Sequence, residues 1–109
     1  MRKSDTDIVR QILEIRHMQA VQDLAAIKQK IRASADAAQA LEASKQAAWD
    51  AIADDDAEAH ARNLKFIAFV DTKQRAEAEK QASLQGQLRS AEANMKSVLH
   101  ASAALSITK

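Results

Sequence analysis

The chain reads as all-α, a long antiparallel two-helix coiled-coil hairpin. Three observations predict this. Proline is absent and Gly86 is the single glycine in 109 residues, so almost nothing stops a helix. About a quarter of the residues are alanine, and Gln, Glu, Lys, Arg and Leu supply most of the rest, all good helix formers. Large apolar side chains are too scarce for a thick core, yet they recur at the spacing that fills a thin seam between two helices.

The first helix is expected over about residues 5–53. Ser4, Asp5, Thr6 and Asp7 offer N-caps and negative charge at its start. From there a 3-4 spacing runs through Leu13, His17, Ala20, Leu24, Ile27, Ile31, Ser34, Ala38, Leu41, Lys45, Ala48 and Ile52. Nine of these twelve positions are apolar, a pattern sustained over enough heptads to mark a coiled-coil seam. Ile8, Ile12, Ile15 and Val21 widen the stripe near the start.

The bend is expected at Asp54-Asp55-Asp56, the chain midpoint. Aspartate is poor inside a helix and good at an N-cap, and three adjacent like charges repel. Folding there yields two arms of roughly 70 Å at 1.5 Å per residue. The competing reading is one unbroken helix in a parallel dimer. It is disfavoured because the register is hard to carry through residues 53–63.

The second helix, about 57–106, has its own seam: Ile67 and Val70, then Leu84, Leu88, Ala91, Met95, Val98 and Leu105. Between them the register falls on Gln74, Glu77 and Gln81, so this stretch is expected to pack loosely or to shift register toward Ala76, Ala78 and Ala82. In the hairpin, residue i should lie near 110 − i, which sets Ser34–Ala38 against the polar stretch. Outer faces carry the i,i+4 pairs Glu58–Arg62, Asp71–Arg75 and Glu92–Lys96. Gly86 falls on the outward face, where it costs about 1 kcal/mol against Ala.

Several function classes are disfavoured. Formal net charge is +1 with interleaved signs, and neither half is a basic arm, so nucleic-acid binding is not expected. No cysteine is present, which excludes thiol chemistry. The basic start is followed by no continuous apolar run, so neither a signal peptide nor a membrane span is expected. His17, His60 and His100 lack ligand-spaced partners, and the triple aspartate with Glu58 lacks the Gly and alternation of a calcium loop. No phosphate loop or nucleophile–base pair appears. The expectation is a non-enzyme with no cofactor and no metal. The aromatics Trp49, Phe66 and Phe69 all fall near the bend, either as a plug sealing it or as a contact patch.

Three stretches carry a resemblance to a known family. Ile12-Leu13-Glu14-Ile15-Arg16 leads into a long Ala/Gln/Lys helix. Arg62-Asn63-Leu64-Lys65-Phe66-Ile67-Ala68-Phe69-Val70 follows the mid-chain break, and the second arm ends through Leu88-Arg89-Ser90-Ala91-Glu92-Ala93-Asn94-Met95-Lys96. In pattern and layout this resembles the FliJ/SctO family, the stalk proteins of flagellar and type III secretion export ATPases. The resemblance implies an antiparallel coiled coil whose terminal end inserts into a hexameric export ATPase. Its bend end would touch the export-gate membrane protein, and some members also escort export chaperones.

Carried over, the ring-facing segment would be Ile8–Val21 with Met95–Leu105, including Ile8, Ile12, Ile15, Val21, Met95 and Leu99. The gate-facing patch would include Leu41, Lys45, Trp49, Phe66 and Phe69. The implied location is the cytoplasm, peripheral to a membrane export apparatus, as monomer or homodimer. Two other readings stand beside it. One is a self-associating four-helix bundle driven by Ile8, Ile12, Ile15 and Val21. The other is a small helical-hairpin substrate of type VII secretion, whose Trp-x-Gly turn is matched here by Trp49-Asp50-Ala51 without the Gly.

Overall fold

A computed structural model describes residues 3–52 and 56–107. Two helices make up the fold, α1 (Lys3–Ile52) and α2 (Ala57–Ile107), in an all-α antiparallel coiled-coil hairpin. Asp54 and Asp55 of the expected bend lie outside the described residues. Asp56 caps α2. Its Oδ1 accepts the Ala59 N–H at 2.8 Å, and its carbonyl accepts the His60 N–H at 2.8 Å. A free helix N-terminus leaves such N–H groups unpaired, and a short acidic side chain satisfies them. At the other end, α1 already begins at Lys3, so Ser4 to Asp7 sit within its first turns rather than capping it. Asp5 there still favours the positive end of the helix dipole.

The fold falls into two compact units. Unit 2 is Lys30–Leu84; unit 1 combines the chain up to Gln29 with the chain from Gln85 onward. In unit 1 the interior is Leu13 and Ala20 from α1 and Val98 from α2, each buried, with Leu24, Ile27, Leu88, Ala91, Met95 and Leu105 half-buried beside them. His17, on the same line, is exposed. In unit 2 the buried residues are Ser34, Ala48, Ile67, Val70 and Leu84.

The polar stretch of α2 does not shift register. Gln74, Glu77 and Gln81 keep the seam positions, half-buried, while Ala76, Ala78 and Ala82 stay exposed. The reason lies on α1. Ser34, 1% exposed, donates its hydroxyl to Glu77 Oε1, and its carbonyl accepts from Gln81 Nε2 at 3.5 Å. Lys45 Nζ donates to Gln74 Oε1 at 3.3 Å, and Gln74 Nε2 donates to Glu42 Oε2 at 2.7 Å. Among the described residues no buried side-chain nitrogen or oxygen lacks a partner. Moving the alanines inward would strand these groups, so the register holds.

These partners sit one to nine residues further along α2 than 110 − i. Helical side chains lean toward their own N-terminus, so on both arms a contact is made by a residue C-terminal to the level it covers. That displaces the pairing in the observed direction. Asp71, expected beside Arg75 on an outer face, reaches across to Lys45 at 2.7 Å.

Gly86 has no positive φ, and a Cβ built on it would meet nothing within 4 Å. Nothing in the fold requires glycine there. Gly86→Ala should therefore stabilise the chain by about 1 kcal/mol, and Asp56→Ala should destabilise it by about 1 kcal/mol through the lost cap. Urea unfolding followed by circular dichroism checks both signs.

The Lys45 amine is held above its ordinary value, first by its hydrogen bond to Asp71 and then by the charges of Asp71 and Glu42, against burial, which pulls the other way. A raised lysine contributes stability at every pH below its unfolded value. That contribution fades as pH climbs through the raised folded value. Thermal unfolding should accordingly show an alkaline loss of stability that is smaller in Lys45→Met.

Candidate functional site

Two apolar surfaces stand outside the seam, one in each unit. In unit 1, Ile8, Ile12, Ile15, Met18 and Val21 are between 45% and 61% exposed. At 3.6 residues per turn, Val21, Met18, Ile15, Ile8 and Ile12 follow one another round an arc of about 180° on the side of α1 away from α2. The seam residues Leu13, Ala20 and Leu24 occupy the facing side. Apolar side chains therefore point in every direction from these turns, with Gln11, Glu14, Arg16 and Gln19 exposed between them.

Beside this belt, an open groove of about 580 Å³ runs between the helix ends. Leu13, Met18, Leu99 and Leu105 make its apolar lining, and Arg10, Glu14 and His17 stand at its wall. Leu99, expected in the ring-facing set, is 51% exposed, whereas Met95 belongs to the half-buried seam. Met18 lies within the expected segment Ile8–Val21 but not among its named residues, and it is 61% exposed. Only the exposure of its neighbours shows that it joins Ile15 to Val21. Covering the remaining surface of the five belt residues would stabilise a complex by roughly 1 kcal/mol each.

Unit 2 divides the expected bend-end patch. Leu41 and Lys45 lie in the seam and are half-buried, with Lys45 engaged by Asp71 and Gln74. The Lys45–Asp71 and Glu42–Gln74 contacts mark one side of the helix pair. Trp49, one heptad past Glu42, and Leu64, one heptad before Asp71, share that side, 48% and 44% exposed. Phe66 and Phe69 lie on the opposite side, 43% and 56% exposed. Lys73 Nζ stands 5.4 Å from the Phe69 ring centroid, a cation–π contact. Three rings at about half exposure do not form a plug. They form two separate surfaces, a distinction that proximity to the bend in sequence conceals.

Among the described residues, no three His, Asp or Glu side chains come together as metal ligands, and no helix is long and apolar enough to cross a membrane. Models of known protein families, curated proteins and solved structures yield no match to this chain.

If the belt lies outside the fold's own interior, its loss should barely be felt by the isolated chain. Ile12→Asp with Ile15→Asp should change stability by no more than about 0.5 kcal/mol apiece, whereas Leu13→Ala, in the seam at 9% exposure, should cost about 2 kcal/mol or more. Equal losses in urea titrations would place the belt within the fold instead.

Proposed function

We propose that this chain is a non-catalytic coiled-coil stalk of a flagellar or type III protein export apparatus, coupling the hexameric export ATPase to the membrane export gate. The observation that carries the reading is the belt on α1. Its side chains are spread over half of the helix circumference, with polar residues between them, and the seam faces the other way. A flat partner would cover one flank of it; a ring of subunits covers it from several directions at once. The groove beside Leu99 offers such a collar a further apolar foothold. The resemblance in layout to the FliJ/SctO stalks supports the same placement, with unit 1 toward the ring and the Trp49–Leu64 side of unit 2 toward the gate. Export chaperones would be further cargo. The chain would work in the cytoplasm, at the periphery of the export apparatus.

The test is reconstitution. With the purified export ATPase at micromolar concentration, the chain should co-elute and stimulate hydrolysis, and Ile12→Asp with Ile15→Asp should abolish both while helix content is unchanged. Trp49→Ser should keep the ATPase interaction and lose capture by the gate protein's soluble domain. Absence of binding and of stimulation by the unmodified chain would sink the reading.

A further inference from the structure

The belt and the groove of unit 1 meet at one side chain. Of the five belt residues, Met18 alone also lines the groove, where Leu13, Leu99 and Leu105 complete the apolar surface. On its own helix it lies about one turn from Ile15 and one turn from Val21. At 61% it is the most exposed large apolar side chain among the described residues. Met95, by contrast, is half-buried in the seam, and Met1 lies outside the described residues. The chain has no cysteine, so its sulfur chemistry is that of its thioethers. Methionine oxidation follows access to the sulfur, and access differs between Met18 and Met95. The groove wall adds a second condition. Arg10, His17, Ser102 and Ser106 line it and carry N–H or O–H donors. A sulfoxide oxygen is a good acceptor, so an oxygen added at Met18 would face water and these donors rather than the seam, and the fold would lose no buried contact.

We propose that Met18 is a reversible oxidation site, with a peroxide as oxidant, and that its state governs what the belt can bind. The sulfur attacks one peroxide oxygen, the O–O bond breaks, an S–O bond forms and, with hydrogen peroxide, water leaves. The sulfur is oxidised by two electrons and the peroxide is reduced by two. Methionine sulfoxide reductases reverse the step: a dithiol is oxidised to a disulfide and the oxygen departs as water. The oxidised side chain is polar and stands where belt and groove join. A partner covering both would have to bury the S–O group against its own apolar surface. Ile15 and Val21 would stay apolar but be parted from Leu99. The consequence for binding rests on the stalk reading; the site itself does not.

Two measurements separate the site from its consequence. In the first, the chain alone is treated with hydrogen peroxide, digested with trypsin and analysed by mass spectrometry. Cleavage after Arg16 and Lys28 sets Met18 apart from Met95, which falls between Arg89 and Lys96, and from Met1. Met18 should gain its oxygen at least about fivefold faster than Met95, with helix content unchanged. The two epimer-specific reductases with dithiothreitol should remove it. Equal rates, or loss of helix on oxidation of Met18, overturn the proposal whatever the chain binds. In the second, chain oxidised at Met18 and freed of peroxide is titrated against the purified export ATPase. Affinity should fall by at least about tenfold and return after reductase treatment. Met18→Gln should weaken binding without any oxidant. Whatever affinity the Met18→Leu chain has, the same peroxide treatment should not move it. Unchanged affinity on oxidation of Met18 overturns the control of binding and leaves the stalk reading in place. No binding by the unoxidised chain sinks the stalk reading and this control with it, while the peptide rates still decide the site.

Discussion

The polar step in the seam of unit 2 constrains the rest of that unit. A seam of purely apolar a and d positions can slide by a heptad at little cost, because one leucine layer resembles the next. Here Ser34 is enclosed between the helices and must find partners there; Glu77 and Gln81 supply them. A slip of seven residues would remove both and bury a hydroxyl against apolar neighbours, at a cost of about 1–3 kcal/mol. The Lys45–Asp71 and Glu42–Gln74 links add to the same choice of register on the exposed edge, where each is individually weak. The chain gives up apolar seam surface at three positions of α2 and gains a single alignment. Every surface built from both arms, such as the side shared by Trp49 and Leu64, depends on that alignment.

A two-helix fold also has a limited interior. Seven hydrophobic residues are buried in the described chain. Larger apolar side chains that the seam cannot hold remain outside, and their distribution is uneven. They cluster in the first turns of α1 and around the start of α2, while the outer faces between are dominated by Ala, Gln and charged residues. Scattered single apolar residues on a surface need no explanation, but contiguous ones rimmed by polar side chains mark contact sites.

The seam of α1 was legible in the sequence almost residue for residue, because burial in a coiled coil follows the 3-4 spacing itself. Eleven of the twelve expected positions are withdrawn from solvent; His17 is the exception, lying where the groove opens. The seam of α2 was legible at its apolar positions only. Apolar pattern alone favours Ala76, Ala78 and Ala82 over Gln74, Glu77 and Gln81. What decides the matter is that Ser34, Lys45 and Glu42 stand opposite, and a single helix does not carry that information. The division of the aromatics was hidden for a related reason. Trp49 and Phe66 are near each other in any hairpin closed at the triple aspartate, but which side each takes depends on angles measured from a seam on two different helices. The apolar belt was legible in part. Ile8, Ile12, Ile15 and Val21 stood out as a widened stripe, but a widened stripe can still be interior. Exposure is what turns it into a surface.

The two external surfaces differ in what can satisfy them, and the difference is geometric. The belt of unit 1 turns through half the circumference of one helix, wider than the stripe of about 100° that one packed neighbour covers. A partner that closed round it would withdraw more of its apolar surface from water than one laid along a single flank. The ridge of unit 2, Phe66 and Phe69, is confined to one side. One flat partner would suffice to cover it. The two surfaces share no residues. The polar links across Lys45 and Gln74 lie on the side opposite the ridge, so contact there would leave the interactions that hold the register undisturbed.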